Sequence, residues 1–325
     1  MVTHAEDGGP RKKRHHVVPQ SYLRAFADDR EMLRSIQREP KDGDNDYIIL
    51  SVKDAAVERY FYRVHRADGS PCDDLEDALG KFDALIPEIV RRAITEEPLS
   101  RRTIDDLKYL YANFAARNGL GRDMLIEEVS EMKSRVARDF EKAFPDESAL
   151  EHKELLDSVI RGVFDHPEMY SADPETISRL AIIPKSLEVY EMMPAHACVL
   201  ESTEVELLTS DAPFGAFDPD DLPKATGVYG PAFSSPRVEL TLPLDRKHAV
   251  LFANIPMPGR AVMSPRGIAV INARTTYYAR RFILFHNNEE TTNLAWMFVQ
   301  NYCDFYITPL LEAFDDADHT ASTTF

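Results

Sequence analysis

What this 325-residue chain lacks narrows it first. Its three cysteines, Cys72, Cys198 and Cys303, lie far apart, and no Cys-x-x-Cys pair exists. That leaves no zinc-knuckle spacing and no disulfide framework, and it suits a reducing cytoplasm. No apolar run approaches the roughly 18–20 residues a membrane-crossing helix needs. The polar, basic N-terminus lacks the apolar stretch of a secretory signal. Glycine-rich phosphate loops are missing: Gly119-Leu120-Gly121 has neither a further glycine nor a strand before it. There is no Gly-x-Ser-x-Gly elbow, and no cysteine stands in a nucleophile's setting. Positive charge is scarce too, with 38 Lys and Arg against 55 Asp and Glu and a net charge of −17. A surface that acidic repels nucleic acid and anionic membrane in general. It leaves room for a local basic site, and the chain has one: Arg11-Lys12-Lys13-Arg14, followed by His15-His16.

The periodicity of the rest reads as strands, then helices, then strands. Pro19 suits the first turn of a short helix with Tyr22, Leu23 and Phe26 as its apolar stripe. Met32 to Arg38, Tyr47 to Val52 and Ala56 to Val64 read as strands. Leu75, Leu79, Phe82, Ile86, Ile89 and Val90 form one face of a helix from Asp73 to about Arg92. A second helix runs from about Ser100, its expected cap, to Asn118. Residues 122–143 and 148–164 read as charged amphipathic helices, and 174–193 as a helix pair or a helix bent at Pro184. Short strand-like runs follow at 197–200, 205–209, 238–244, 249–253 and 269–271, before helical stretches over 275–285 and 289–304. This is not βαβ alternation. The predicted class is α+β, a mixed or antiparallel sheet built from N- and C-terminal strands with a large central helical lobe over about 73–195. The predicted limits are a flexible leader over residues 1–10, one domain over 11–312, and a flexible acidic tail over 313–325.

The segment His15-His16-Val17-Val18-Pro19-Gln20-Ser21-Tyr22-Leu23-Arg24-Ala25-Phe26 resembles the opening of a bacterial family, the domain of unknown function numbered 4238. Glu58-Arg59-Tyr60-Phe61-Tyr62 is similar to its aromatic strand, and Leu75-Glu76-Asp77 through Pro87 to its first long helix. Leu207-Leu208-Thr209-Ser210-Asp211-Ala212-Pro213 is similar to its Thr-Ser-Asp-Asn-Pro element, with Ala212 in place of the usual Asn. Asp83 stands near the position of a family Glu, and Asn293 falls in its last helix. The resemblance covers about residues 14–308 and implies fold and extent more than activity.

The chemistry-bearing residues offer competing readings. Neutral imidazole ligates metal or accepts a proton, so His15, His16 and Asp211 are the candidate catalytic residues, with His16 and Asp211 as ligands of a divalent metal. In an extended segment adjacent side chains point oppositely, so one histidine faces a cleft while the other packs inward. Arg14, Gln20, Ser210 and Asn293 are the candidate substrate-binding residues. An HNH-type nuclease would need a further His or Asn at modest spacing, and the next histidine, His65, is about 50 residues on. The structural alternatives are histidines bonded to backbone and Asp211 closing an Asx turn. Two functions follow: a metal-assisted hydrolase of phosphodiesters or nucleotides, with nucleotide or nucleic acid at the basic site, or a non-catalytic ligand-binding or sensor protein of a bacterial stress or anti-phage system. A third reading is a structural partner acting through the helical lobe.

Overall fold

The structure, a computed structural model, describes residues 14–39, 47–117, 170–171, 176, 179–220, 233, 235–306 and 308–311. The expected leader, the acidic tail, the cations Arg11 to Lys13 and the predicted helices over 122–143 and 148–164 lie outside the described residues. Both helices and several sheets are present, and the fold is α+β.

The N-terminal third is β1 (Arg14–His16), the one-turn helix α1 (Gln20–Leu23), β2 (Met32–Gln37), β3 (Ile48–Ser51), β4 (Val57–Arg59), β5 (Val64–His65) and β6 (Pro71–Cys72). The lobe follows as α2 (Asp74–Asp83), α3 (Ile86–Thr95), α4 (Arg101–Arg117) and α5 (Ile182–Met192). The apolar stripe from Leu75 to Val90 is buried as predicted, though the helix breaks at Ala84-Leu85. Ser100 caps α4, its hydroxyl accepting the Thr103 amide at 3.2 Å. Pro184 does not bend α5, because it sits in the first turn, where no intrahelical N–H is required.

The C-terminal third is β7 (His196–Ser202), β8 (Thr209–Ser210), β9 (Gly215–Phe217), β10 (Glu239–Pro243), β11 (His248–Ala253), β12 (Arg260–Met263), α6 (Pro265–Tyr278), β13 (Phe282–His286) and α7 (Glu289–Tyr306), kinked at Asn301. Three expectations change here. Of the run at 205–209 only Thr209 belongs to a strand, because the Leu208 amide goes to the Asn272 side chain instead of a neighbouring strand. Residues 269–271 are helical, because Ser264 caps α6 by accepting the Gly267 amide and Pro265 presets its first turn. Residues 282–285 are a strand, because Phe282 to His286 lie between two partners, β2 and β8.

Two main sheets result rather than one. The first, in the order β3-β2-β13-β8, joins N- and C-terminal strands as predicted. The second, β12-β7-β11-β10-β9, is C-terminal throughout. Its inner strands read as unbroken apolar runs because both faces are covered. Ala197, Val199, Val250 and Phe252 enter the core shared with the helical lobe. Their alternates Cys198, Leu200, Ala249 and Leu251 enter a smaller core with Ile268 and Ile271 of α6. Each Val, Leu, Ile or Phe among them contributes about 1.5–3 kcal/mol when fully buried. Arg260 on β12 fastens lobe to sheet, donating to the carbonyls of Ala93, Ile94 and Glu96 at the end of α3.

Candidate functional site

β1 and β4 form a separate two-stranded antiparallel ribbon with Arg14 opposite Arg59, His15 opposite Glu58 and His16 opposite Val57. Opposed residues share a face. Arg14, Arg59, His16 and Val57 therefore lie on one side, and His15 and Glu58 on the other.

The inward side is structural in its contacts. His15 is fully buried, stacks on the Tyr62 ring at 5.8 Å between centroids, and accepts the Tyr62 amide through Nδ1 at 2.7 Å. An accepting Nδ1 leaves the proton on Nε2. Tyr62 in turn lies under the guanidinium of Arg117, which holds the Asp83 carboxylate with both Nη atoms. The paired-histidine, aromatic-strand and first-helix segments thus meet in one buried stack.

His16 has the opposite tautomer. The Gln20 side-chain amide donates to Nε2 at 2.8 Å, which puts the ring proton on Nδ1, beside the Ala55 carbonyl but without a well-aligned bond. Burial holds its pKa below 6.5, overriding the pull of Ala55 and Asp54, with Arg14 adding to the depression. Gln20 is placed by Pro19, which starts α1 directly after β1.

The outward side opens on a cleft of about 580 Å³ lined by Arg14, Asp54, Val57, Arg59 and Tyr60. Arg14 donates to Asp54 at 2.6 Å and to the Lys53 carbonyl at 3.3 Å. With Ser51 it holds the exposed Asp54 carboxylate below its usual pKa. The Arg59 guanidinium has no hydrogen-bond or ion-pair partner among the described residues. Ala56 and Tyr60, which bracket β4, both have left-handed backbone, at φ 47° and 57°. A bulky residue there costs on the order of 1–3 kcal/mol, and such strain concentrates at ligand sites. One face of the Tyr60 ring carries the Arg63 guanidinium, 4.1 Å from its centroid.

The Thr-Ser-Asp element lies elsewhere. Tyr22 shares a 3.1 Å hydrogen bond with Thr209, and the Ser210 hydroxyl accepts the Ala212 amide. Asp211 accepts the amides of Arg280 and Arg281 at 2.8 and 3.0 Å, so it closes the connection between α6 and β13 rather than its own turn. Burial pushes its pKa above the usual carboxylate value, against the pull of those amides. Asp211 bonds the turn after α6, whereas His15 bonds the Tyr62 amide and His16 the Gln20 side chain. Arg281 links the two regions, reaching Glu58, opposite His15 on the ribbon, at 2.9 Å and Asp211 at 3.8 Å. Among the described residues no group of three His, Cys, Asp or Glu side chains is arranged to hold a metal ion. Asn293 and Gln300 are exposed on α7, and neither lines the cleft. Phe298 is buried there, and Trp296 packs at the margin of the same core.

The structure therefore brings Arg14, His16 and Gln20 together and leaves Ser210, Asp211 and Asn293 apart from them. Sequence reading missed Asp54, Arg59 and Tyr60. The signal was the register, since only pairing β1 with β4 sets a second arginine opposite Arg14.

These features define the class as an α+β protein with an arginine-lined cleft beside its N-terminal ribbon. The chain belongs to the family described as protein of unknown function (DUF4238), which matches residues 14–289 and so ends short of Asn293. No curated protein and no solved structure matches it. Among the described residues no helix is long and apolar enough to cross a membrane.

Proposed function

We propose that the protein binds a phosphate-bearing ligand in the cleft on the open face of the β1–β4 ribbon. The observation that carries this reading is Arg59, a guanidinium without a partner among the described residues, set directly opposite Arg14. Like charges opposed across a ribbon are destabilising, and here Asp54 pairs with Arg14 alone, leaving the Arg59 charge unmatched in a chain with 17 surplus negative charges. A bound anion removes the repulsion, and an arginine fork matches phosphate oxygens. Binding is favoured over metal-assisted hydrolysis by His16 and Asp211, because the Asp211 carboxylate is committed to two backbone amides.

Calorimetric titration of the full chain with inorganic phosphate and pyrophosphate tests it. Binding is expected to weaken with added salt and to fall about 10–100-fold in Arg59→Ala, the loss of a charge-assisted pair. Binding unaffected by that change would remove the cleft as the site. Hydrolysis of phosphodiesters and nucleotides, with and without Mg²⁺ or Mn²⁺, is expected to stay at background. Turnover lost in both His16→Ala and Asp211→Asn would put metal-assisted hydrolysis in its place.

A further inference from the structure

Three features of the cleft exceed what a simple anion needs. Its volume of about 580 Å³ falls in the range of roughly 300–1,000 Å³ typical of small-molecule sites and far exceeds one phosphate. Tyr60 lines it with more than a third of its surface exposed, and the Arg63 guanidinium occupies only one ring face. Asp54 lines it too, with a carboxylate that repels a bare anion but accepts hydrogen bonds from hydroxyl or amino groups.

Resting on the phosphate reading above, we infer that the ligand is a free mononucleotide. Its phosphate lies on Arg59 and Arg14, its ribose hydroxyls donate to Asp54, and its base stacks on the open face of Tyr60. Each charged or aromatic side chain of the lining then has a partner. Asp54, now bonded to Arg14, exchanges that bond for the ribose as Arg14 turns to the phosphate. A mononucleotide is favoured over a nucleic-acid strand by the charge of the whole chain. At −17 the protein repels each further phosphate of a polymer, whereas one ligand phosphate meets two arginines.

The test is titration of the full chain with inorganic phosphate, adenosine, AMP and an oligoadenylate, in wild type and in Tyr60→Asn, Tyr60→Leu and Arg59→Ala. Asparagine tolerates the left-handed backbone at this position, so Tyr60→Asn removes the ring without adding strain, and thermal melting confirms that each variant is folded. Base stacking on an aromatic ring is expected to make AMP about 10–100-fold tighter than phosphate. Both Tyr60 variants should lose that gain and leave phosphate binding unchanged, while Arg59→Ala weakens both ligands. AMP no tighter than phosphate, or AMP binding indifferent to Tyr60, overturns the nucleotide inference and leaves the phosphate reading standing. Adenosine binding as well as AMP, or no binding of any probe, overturns both. Oligoadenylate binding more tightly than AMP, with the excess lost at Arg59→Ala, replaces the free nucleotide by a nucleic-acid strand.

Discussion

Replacing Asp211 by alanine separates a structural role from a chemical one. Its carboxylate accepts the Arg280 amide at 2.8 Å and the Arg281 amide at 3.0 Å, where the chain turns from α6 into β13. A hydrogen bond to a charged group is worth about 1.5–3 kcal/mol, so two such bonds bring about 3–6 kcal/mol. Part of that returns on substitution, because the carboxylate no longer has to be kept buried, the same burial that raises its pKa. The net expectation for Asp211→Ala is about 3 kcal/mol of lost stability. With a urea m-value of about 3 kcal/mol/M for a chain of this size, the unfolding midpoint falls by about 1 M. Asp211→Asn keeps an acceptor and drops the charge, and should cost about 1 kcal/mol. Phosphate binding should survive in whatever fraction is folded. A midpoint unmoved in Asp211→Ala, combined with lost ligand binding, would refute the reasoning and return Asp211 to the site.

Three further outcomes follow from other contacts. His16 has a depressed pKa, so the unfolded chain takes up its proton first, and its stabilising contribution is present above about pH 6.5 and lost as pH falls below that. Urea midpoints at pH 7.5 and 5.5 should therefore differ less in His16→Asn than in wild type, and an unchanged difference would count against it. Arg117→Met strands the Asp83 carboxylate and should cost about 3 kcal/mol, with much of it recovered in the double variant carrying Asp83→Leu as well. Failure of the second change to restore the midpoint would show that Arg117 acts mainly through Tyr62. Gly215→Ala puts a methyl 2.6 Å from the Thr241 hydroxyl and 2.8 Å from Arg274 Cβ, and should cost about 1–3 kcal/mol by thermal melting. Adding Thr241→Ala should relieve the part due to the hydroxyl.

The α+β class was legible because period-2 and period-3.6 segments are separated along the chain. The lobe's face from Leu75 to Val90 and the Ser100 cap are local signals, and local signals survive folding. The sequence favours helix at β13 because Phe282-Ile283-Leu284-Phe285 is apolar without alternation, and only its two neighbours, far off in sequence, settle its type. The same limit governs the site. That one histidine faces in and the other out follows from strand geometry alone. That Arg59 opposes Arg14 needs the register of β1 on β4. That Asp211 serves Arg280 and Arg281 rather than its own turn needs β8 paired with β13, some 70 residues on.

The order β3-β2-β13-β8 also has a temporal meaning. β2 and β3 form a local hairpin that pairs early, yet the other side of β2 receives its partner only when β13 has been made, about 250 residues later. At roughly 5–20 residues per second, a growing chain carries that open strand edge for on the order of 10–50 s. Until β13 exists that edge of β2 has no strand to pair with, while Ile48 and Ile49 stay exposed on the outer strand β3 even in the finished sheet.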